Sequence, residues 1–280
     1  MFVVLSTPVS RARQEVVRIF KKYSMKILFL GDIVARSGRR IVREFVPKLR
    51  EEFGIDFVIV NGENSRHGRG ISLETYEELI ALGVDYVTSG DHIWDDPEFA
   101  GPLSQESTKV LRPANYPAGV PGKGIVTIDV NGEPLTIINL QGQVFMHANL
   151  ENPFRVADEL LLKSKGFTFI DFHAEATSEK ITFGHFVDGR AGAVVGTHTH
   201  VPTADERVLP KGTAYISDAG MCGPLNGSIG ADYERVLPSF TQALPFKYEP
   251  ASGAVQLNGV VIETDGTHAK SIERVQRYLE

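Results

Sequence analysis

Three features are scarce in this sequence: cysteine, net positive charge and long apolar runs. The single cysteine, Cys222, excludes an intramolecular disulfide and a zinc site built from cysteines, so we expect a cytoplasmic protein. A formal net charge of -6 argues against sequence-independent DNA binding, which needs many Lys and Arg side chains to neutralise phosphates. The apolar run near the N-terminus is too short to span a bilayer, and basic residues follow it, the reverse of their order in a signal peptide. We therefore expect no membrane partner.

The composition suffices for one large folded domain. With 42% hydrophobic and 23% charged residues, the chain can bury a substantial core, and no Gly/Ser-rich or charged linker divides it. Met25 stands directly before a strong strand pattern. We interpret residues 1–24 as a dispensable N-terminal extension and residues 25–280 as a single domain. A basic amphipathic helix that docks on a partner is the alternative interpretation of the extension.

From Met25 onward, strand patterns alternate with helical patterns. Continuous apolar runs predict buried strands at 26–30, 56–60, 85–88, 167–172 and 193–196. Apolar residues at every fourth position predict a helix over 41–54, and Asn131-Gly132 between two alternating runs predicts a β-hairpin. This order favours an α/β fold, a four-layer α/β/β/α sandwich in which two mixed sheets pack face to face. A single doubly wound sheet is the alternative.

Groups able to bind a cation follow the ends of five predicted strands. In an open α/β sheet, ligands collect beyond the carboxyl ends of the strands. The metal-ligand candidates there are Asp32, Glu63, Asn64, Asp91, His173, His198 and His200. Each alone has an ordinary interpretation, as a helix cap, a turn residue or a hydrogen-bonded histidine. Together they are too many for one tetrahedral zinc ion.

These ligands fit two ions that share a carboxylate. Glu63 is the candidate bridge, because it is an acid in the middle of the ligand order with Asn64 directly beside it. Imidazole and carboxylate ligands accept iron, manganese or zinc, and we rank iron first for two divalent or mixed-valence ions. Two close ions lower the pKa of a bound water and hold a phosphoryl group between positive charges. The pattern therefore predicts hydrolysis of a phosphoric ester.

Six segments, in order along the chain, carry a family resemblance. They are LFLGDIVARSGR, VNGENSRHGRGI, TSGDHIWD, FHAEATSEK, VGTHTHVPTAD and YISDAGMCGP. Together they closely resemble the YmdB-like branch of the calcineurin-like metallophosphoesterases, the 2',3'-cyclic-nucleotide 2'-phosphodiesterases, from about Met25 to the C-terminus. The resemblance implies a metallophosphoesterase sandwich that hydrolyses a small cyclic nucleotide by metal-activated water. RNA as a further partner and homo-oligomer formation stay open.

The resemblance also implies a role for each polar residue. Asp32 and His200 would hold the first ion, and Glu63 would bridge to the second. The other ligands of the second ion would be Asn64, Asp91, His173 and His198. His92 would be the catalytic acid that protonates the departing ribose oxygen, and we expect a neighbouring carboxylate to raise its pKa. Substrate-binding residues stay unassigned. Apart from the resemblance, His67 and Arg69 in the Gly-rich loop after Glu63 are candidate nucleotide contacts, and Trp94 is either a base-stacking residue or a core anchor.

One position departs from the family pattern, which reads GNH where this chain has Gly90-Asp91-His92. Aspartate cannot donate a hydrogen bond to a phosphate as the asparagine amide can. Its negative charge at about 5 Å from a phosphate costs roughly 3 kcal/mol at an effective dielectric constant near 20, before screening or protonation reduces the cost. We therefore expect stronger metal retention and weaker anion binding. Two alternatives stay open: a metal-binding regulatory protein with little turnover, and a hydrolase of phosphomonoesters or amides.

Overall fold

The computed structural model describes residues 24–146 and 149–280. The predicted extension, residues 1–24, lies outside these ranges except for its last residue. The helices are α1 (Ala35–Phe53), α2 (Leu73–Ala81), α3 (Ala100–Leu103), α4 (Pro153–Leu161), α5 (Thr177–Val187) and α6 (Tyr233–Gln242). Two short 3-10 helices, Asp91–Trp94 and Pro97–Phe99, lie between α2 and α3. None of the helices in the described ranges combines the length and the apolar character needed to cross a bilayer.

Thirteen strands form two sheets in the described part of the chain. They are β1 (Lys26–Leu30), β2 (Asp32–Ile33), β3 (Phe57–Asn61), β4 (Tyr86–Thr88), β5 (Ile125–Val130), β6 (Glu133–Gln141), β7 (Phe167–His173), β8 (Ala193–Thr197), β9 (Arg207–Val208), β10 (Ala214–Ile216), β11 (Met221–Pro224), β12 (Val255–Asp265) and β13 (His268–Leu279). The first sheet has the order β2-β11-β12-β1-β3-β4, with β13 paired to β12. The second has the order β5-β6-β7-β8-β10-β9.

Both sheets mix parallel and antiparallel pairs. In the first sheet β1, β3 and β4 are parallel, and β12 runs antiparallel to β1. In the second, β6, β7, β8 and β10 are parallel, and the edge strands β5 and β9 are antiparallel to their neighbours. Two separate sheets exclude the single doubly wound sheet.

Alternate residues of the central strands face different layers. In β1, Ile27 and Phe29 belong to the apolar cluster between the sheets, whereas Leu28 and Leu30 share a cluster with the apolar stripe of α1. Residues of β7 divide in the same way between the intersheet cluster and a third cluster with α4 and α5. Burial on both faces explains why these strands are continuous apolar runs. The layers are helix, sheet, sheet and helix, which confirms the predicted four-layer sandwich.

The predicted hairpin is present between β5 and β6, whose pairing ends at Val130 and Glu133. Asn131 and Gly132 form the turn, with φ angles of 55° and 89°. A two-residue turn with both central residues in the left-handed region matches the twist of the flanking strands. Asn and Gly tolerate that region better than other residues, so this local signal was reliable.

Several short elements were not predicted, and three longer ones differ from the sequence prediction. Helix α1 begins at Ala35 rather than at residue 41, because its first turns carry Arg36, Arg39 and Arg40 instead of an apolar stripe. Helix α6 was not predicted, since Pro238 lies inside it and a proline normally ends a helix. Strand β13 was also missed, because most of its side chains are exposed and polar, which weakens the alternation.

Candidate metal centre

The carboxyl ends of strands from both sheets meet at one edge of the sandwich. The predicted site residues lie there: Asp32 in β2, Glu63 and Asn64 after β3, Asp91 and His92 after β4, His173 at the end of β7, and His198 and His200 after β8. Parallel strands present their carboxyl ends at the same edge of a sheet. Because the two sheets pack face to face, the residues at these two edges lie close to one another. The contacts described below join all of these residues in one polar cluster.

Four of the residues form a compact group. Glu63, Asp91, His173 and His198 each offer one ligand atom, and these atoms all lie within 4.8 Å of one another. Nε2 of His173 is 3.3 Å from Oε1 of Glu63 and 3.0 Å from Oδ1 of Asp91. Nδ1 of His198 is 3.0 Å from the same nitrogen of His173. Two carboxylates and two imidazoles are suitable ligands for a divalent transition metal.

Asp32 and His200 form a second position beside this group. Nε2 of His200 lies 3.8 Å from Oδ1 of Asp32. The Asn64 amide lies between the two positions, with Nδ2 3.0 Å from Oε1 of Glu63 and 3.2 Å from Nε2 of His200. The backbone N–H of His198 donates to Oδ2 of Asp32 at 3.2 Å. The cluster therefore offers ligands at two neighbouring positions, with Glu63 and Asn64 close to both.

Each of the three histidines has one ring nitrogen engaged by an acceptor outside the cluster. The pairs are His173 Nδ1 with Thr197 Oγ1 at 2.9 Å, His198 Nε2 with Glu175 Oε2 at 3.2 Å, and His200 Nδ1 with the carbonyl oxygen of Ile229 at 2.9 Å. A carbonyl or carboxylate oxygen only accepts, so the ring nitrogen facing it carries the proton. The other nitrogen of each ring faces the cluster and is the one that would bind a metal ion, as in metal-ligating histidines whose second ring nitrogen is held by an acceptor.

A buried carboxylate fixes the tautomer of His173. The hydroxyl of Thr197 donates its one proton to Oδ1 of Asp171 at 2.7 Å, so it accepts from Nδ1 of His173. Asp171 is fully buried and also accepts hydrogen bonds from Asn61 and Thr88. Burial raises the pKa of Asp171 to about 7, although these hydrogen bonds oppose the rise. Sequence reasoning missed this residue, whose signal is a carboxylate inside the apolar run TFIDF.

The cluster brings together carboxylates that repel one another and a buried oxygen without a hydrogen-bond partner, both of which a bound cation would stabilise. Burial, with repulsion from Asp91 and Asp32, raises the pKa of Glu63 well above its usual range. Oδ1 of Asp32 is buried and has no hydrogen-bond partner among the described residues. At Gly90 an added Cβ would lie 2.3 Å from both Oε2 of Glu63 and Nε2 of His173, so only glycine allows the ligands to pack this closely. The residues present therefore fit divalent metal ions.

His92 lies at the edge of the cluster. Its Nδ1 is 3.1 Å from Oδ2 of Asp95, and its Nε2 is 3.9 Å from Oδ2 of Asp91. Burial lowers the pKa of His92, Arg69 lowers it further, and the attraction of Asp91 and Asp95 does not overcome these effects. The predicted increase in this pKa is therefore wrong, because removal of water outweighs the neighbouring carboxylates. A lowered pKa makes the imidazolium a stronger proton donor.

A buried ion pair holds the turn that carries His198 and His200. Both histidines have left-handed backbone conformations, with φ angles of 98° and 66°, which are strained for residues with a side chain. Between them, Thr199 donates from its backbone N–H and its hydroxyl to Oδ2 of Asp218, at 3.1 and 2.7 Å. Nζ of Lys180 donates to the same oxygen at 2.8 Å, and neither side chain of the ion pair is more than 2% exposed. The ion pair therefore stabilises the strained turn through the hydrogen bonds between Asp218 and Thr199.

A cavity of about 620 Å³ opens beside the cluster. Its lining includes the site residues Glu63, Asn64, His92, His198 and His200. Arg69 and the apolar side chains of Val236 and Phe240 from α6 also line it. Trp94 is half-buried, packs against the apolar cluster that β1 shares with α1, and meets Tyr116 edge-on at 5.7 Å between ring centroids, which favours the core-anchor interpretation.

The chain is similar to proteins of one family along most of its length. The family model described as YmdB-like protein matches residues 28–275. A Bacillus subtilis (strain 168) protein named 2',3'-cyclic-nucleotide 2'-phosphodiesterase is 48% identical over 258 residues, covering 91% of this chain and 97% of that protein. The crystal structure of a hypothetical protein from Thermus thermophilus superposes with a TM-score of 0.87 at 40% identity, covering 91% of this chain and 100% of the other. A phosphatase from Mycoplasma pneumoniae gives a TM-score of 0.86 at 37% identity, with coverages of 91% and 94%.

Proposed function

Because the chain belongs to the family of YmdB-like proteins, we propose that it is a metal-dependent phosphodiesterase that hydrolyses 2',3'-cyclic or related cyclic nucleotides. This proposal rests on one observation: carboxylate, amide and imidazole side chains lie close together beside a single cavity. The name of the Bacillus relative supports the substrate class. We place the activity in the cytoplasm, because a protein with one buried cysteine suits a reducing compartment.

Two divalent ions are the proposed cofactors, with iron first and manganese or zinc as alternatives, since this ligand set accepts all three. Asp32 and His200 would hold one ion, and Glu63 would be shared with the other. Asn64, Asp91, His173 and His198 would supply the remaining ligands of the second ion. When bound, such a pair of ions activates water for attack on phosphorus and stabilises the charge that develops on the phosphoryl oxygens.

His92 is the proposed proton donor. Its Nδ1 is engaged by Asp95, so Nε2 is the atom that transfers a proton to the departing ribose oxygen. Arg69 lines the same cavity and contributes positive charge that attracts an anionic substrate. The acceptors outside the cluster orient each imidazole so that its other ring nitrogen faces the candidate ions.

Hydrolysis of a small substrate panel tests this activity. Protein loaded separately with iron, manganese or zinc is incubated with adenosine 2',3'-cyclic monophosphate, with a phosphomonoester and with an amide. We expect sustained, metal-dependent release of nucleoside monophosphate from the cyclic nucleotide, and loss of that release after chelation. Turnover confined to the monoester or the amide would contradict the diesterase proposal. Metal binding with no turnover of any substrate would favour a regulatory role.

The variant Asp91→Asn tests the charge of the cluster. Oδ1 of Asp91 lies 3.0 Å from His173 and 3.5 Å from His198, so its charge adds to the field at the candidate ions. Removing it lessens the repulsion of phosphate, and we expect KM to fall about tenfold and ion retention during dialysis to weaken. Asp158→Asn, which removes an exposed charge on α4, is the matched control and leaves both values unchanged. An unchanged KM together with tighter ion retention would contradict this expectation.

A further inference from the structure

An apolar wall lines the cavity that also holds the candidate metal ligands. It consists of Phe240 from α6 and of Phe246 and Tyr248 from the segment after this helix. Phe240 is 80% exposed and Phe246 is 45% exposed. Single exposed apolar residues are ordinary on a protein surface. Two exposed phenyl rings in the same cavity as a buried polar cluster instead indicate a surface that a ligand covers.

Tyr248 supplies the wall with an unused hydrogen-bonding group. Its ring packs on the loop after Glu63, where an added Cβ at Gly68 would lie 2.1 Å from the ring. Its hydroxyl is buried and has no partner among the described residues. Burial raises the pKa of Tyr248 to about 12, so the hydroxyl keeps its proton and is able to donate. A buried donor without an acceptor is costly unless a ligand supplies the acceptor.

The size and charge of the cavity indicate which class of small molecule it fits. About 620 Å³ lies within the range of small-molecule sites, roughly 300–1,000 Å³. Arg69 and the metal-ligand cluster suit an anionic group, whereas Phe240 and Phe246 suit a flat apolar one. A nucleotide combines both groups in one small molecule, which a lipid headgroup or a sugar phosphate does not.

We propose that Phe240, Phe246 and Tyr248 form a nucleobase subsite. The subsite rests on the proposed function, because it takes the phosphoryl group to lie at the metal-ligand cluster. The base stacks on the phenyl rings, and the hydroxyl of Tyr248 donates to an acceptor on the base or the ribose. Stacking tolerates every base, since each has a π-face. The subsite therefore selects for the presence of a base without strong preference among the four.

Equilibrium dialysis of adenosine 3'-monophosphate and of ribose 3-phosphate tests the subsite without turnover. We expect wild-type protein to bind the nucleotide more tightly than the sugar phosphate. The double variant Phe240→Ala/Phe246→Ala should weaken nucleotide binding roughly 5- to 30-fold and leave the Kd of the sugar phosphate unchanged. Phe240→Leu keeps an apolar side chain without a ring and should show part of the loss. Tyr278→Ala removes an exposed aromatic ring from β13, outside the cavity, and serves as the matched control.

An equal nucleotide Kd for wild type and the double variant would overturn the subsite. If size-exclusion chromatography then shows that the double variant has a different oligomeric state, the rings belong to a contact between copies of the chain. Hydrolysis of the cyclic nucleotide is measured separately. If no hydrolysis occurs but the double variant binds the nucleotide more weakly than wild type, the diesterase proposal fails and the subsite stands. If hydrolysis proceeds with the same KM in wild type and the double variant, the subsite fails and the diesterase proposal stands.

Discussion

Replacing His92 with alanine is expected to lower turnover of a cyclic nucleotide by about 10²- to 10⁴-fold while the metal content stays unchanged. His92 lies beside the compact group of Glu63, Asp91, His173 and His198 without belonging to it, so its loss removes the proposed proton donor and leaves the proposed metal ligands in place. A nitrophenolate leaves without protonation. The loss should therefore be much smaller for bis(p-nitrophenyl) phosphate. The measurements are kcat for both substrates and elemental analysis of the purified variant.

The pH profile separates proton donation from a positioning role of His92. A proton donor is active in its protonated form, and burial lowers the pKa of His92. Wild-type activity should therefore decline with rising pH, and the midpoint of this decline should lie below the pKa of a free histidine. Asp95→Asn removes a carboxylate that raises this pKa, so the decline should move to still lower pH. His92→Ala should lack this decline. Equal losses for both substrates, or a loss of metal, would contradict the assignment.

Replacing Lys180 with methionine is expected to destabilise the protein by about 3–5 kcal/mol, because it leaves Asp218 as an unpaired charge in the interior. Asp218 also accepts both hydrogen bonds from Thr199, so the strained turn that carries the proposed metal ligands His198 and His200 should loosen. We therefore expect weaker metal retention as well as a lower free energy of unfolding. Urea titration and metal content after dialysis measure the two effects.

The exposed pair of Lys48 and Glu44 on α1 provides the matched control. Lys48→Met removes a lysine whose ion pair is solvated, and it should change the free energy of unfolding by less than about 1 kcal/mol. The double variant Lys180→Met/Asp218→Asn should be less destabilised than the sum of its single variants, since neither charge is left alone. A loss for Lys180→Met as small as that of the control would show that the buried pair does not stabilise the turn.

The layers of the fold were predictable because they follow from hydrophobic patterns within single segments of the sequence. A strand buried on both faces is apolar at consecutive positions, as β1 is from Ile27 to Leu30, and the Asn131-Gly132 turn is specified by its own two residues. The gathering of polar residues was predictable because parallel strands share one carboxyl edge. The strand β13 carries little apolar periodicity of its own and depends on pairing with β12, so its sequence did not reveal it.

The supporting residues of the cluster were beyond sequence reasoning, because their roles come from contacts between distant segments. Asp171 acts through Thr197, and Asp218 acts on Thr199 together with Lys180 from another helix. The direction of the His92 pKa was also missed. Adjacent carboxylates are visible in a sequence, whereas the burial that outweighs them is a property of the folded chain.

Anomalous scattering from crystals of freshly purified protein, recorded at the iron, manganese and zinc absorption edges, tests most directly whether the cluster binds two metal ions. We expect two peaks roughly 3.5–4 Å apart. One should lie beside Asp32 and His200, and the other should lie among the ligand atoms of Glu63, Asp91, His173 and His198. A single peak, or ions bound away from these residues in metal-saturated protein, would contradict the two-ion centre and the phosphodiesterase mechanism built on it.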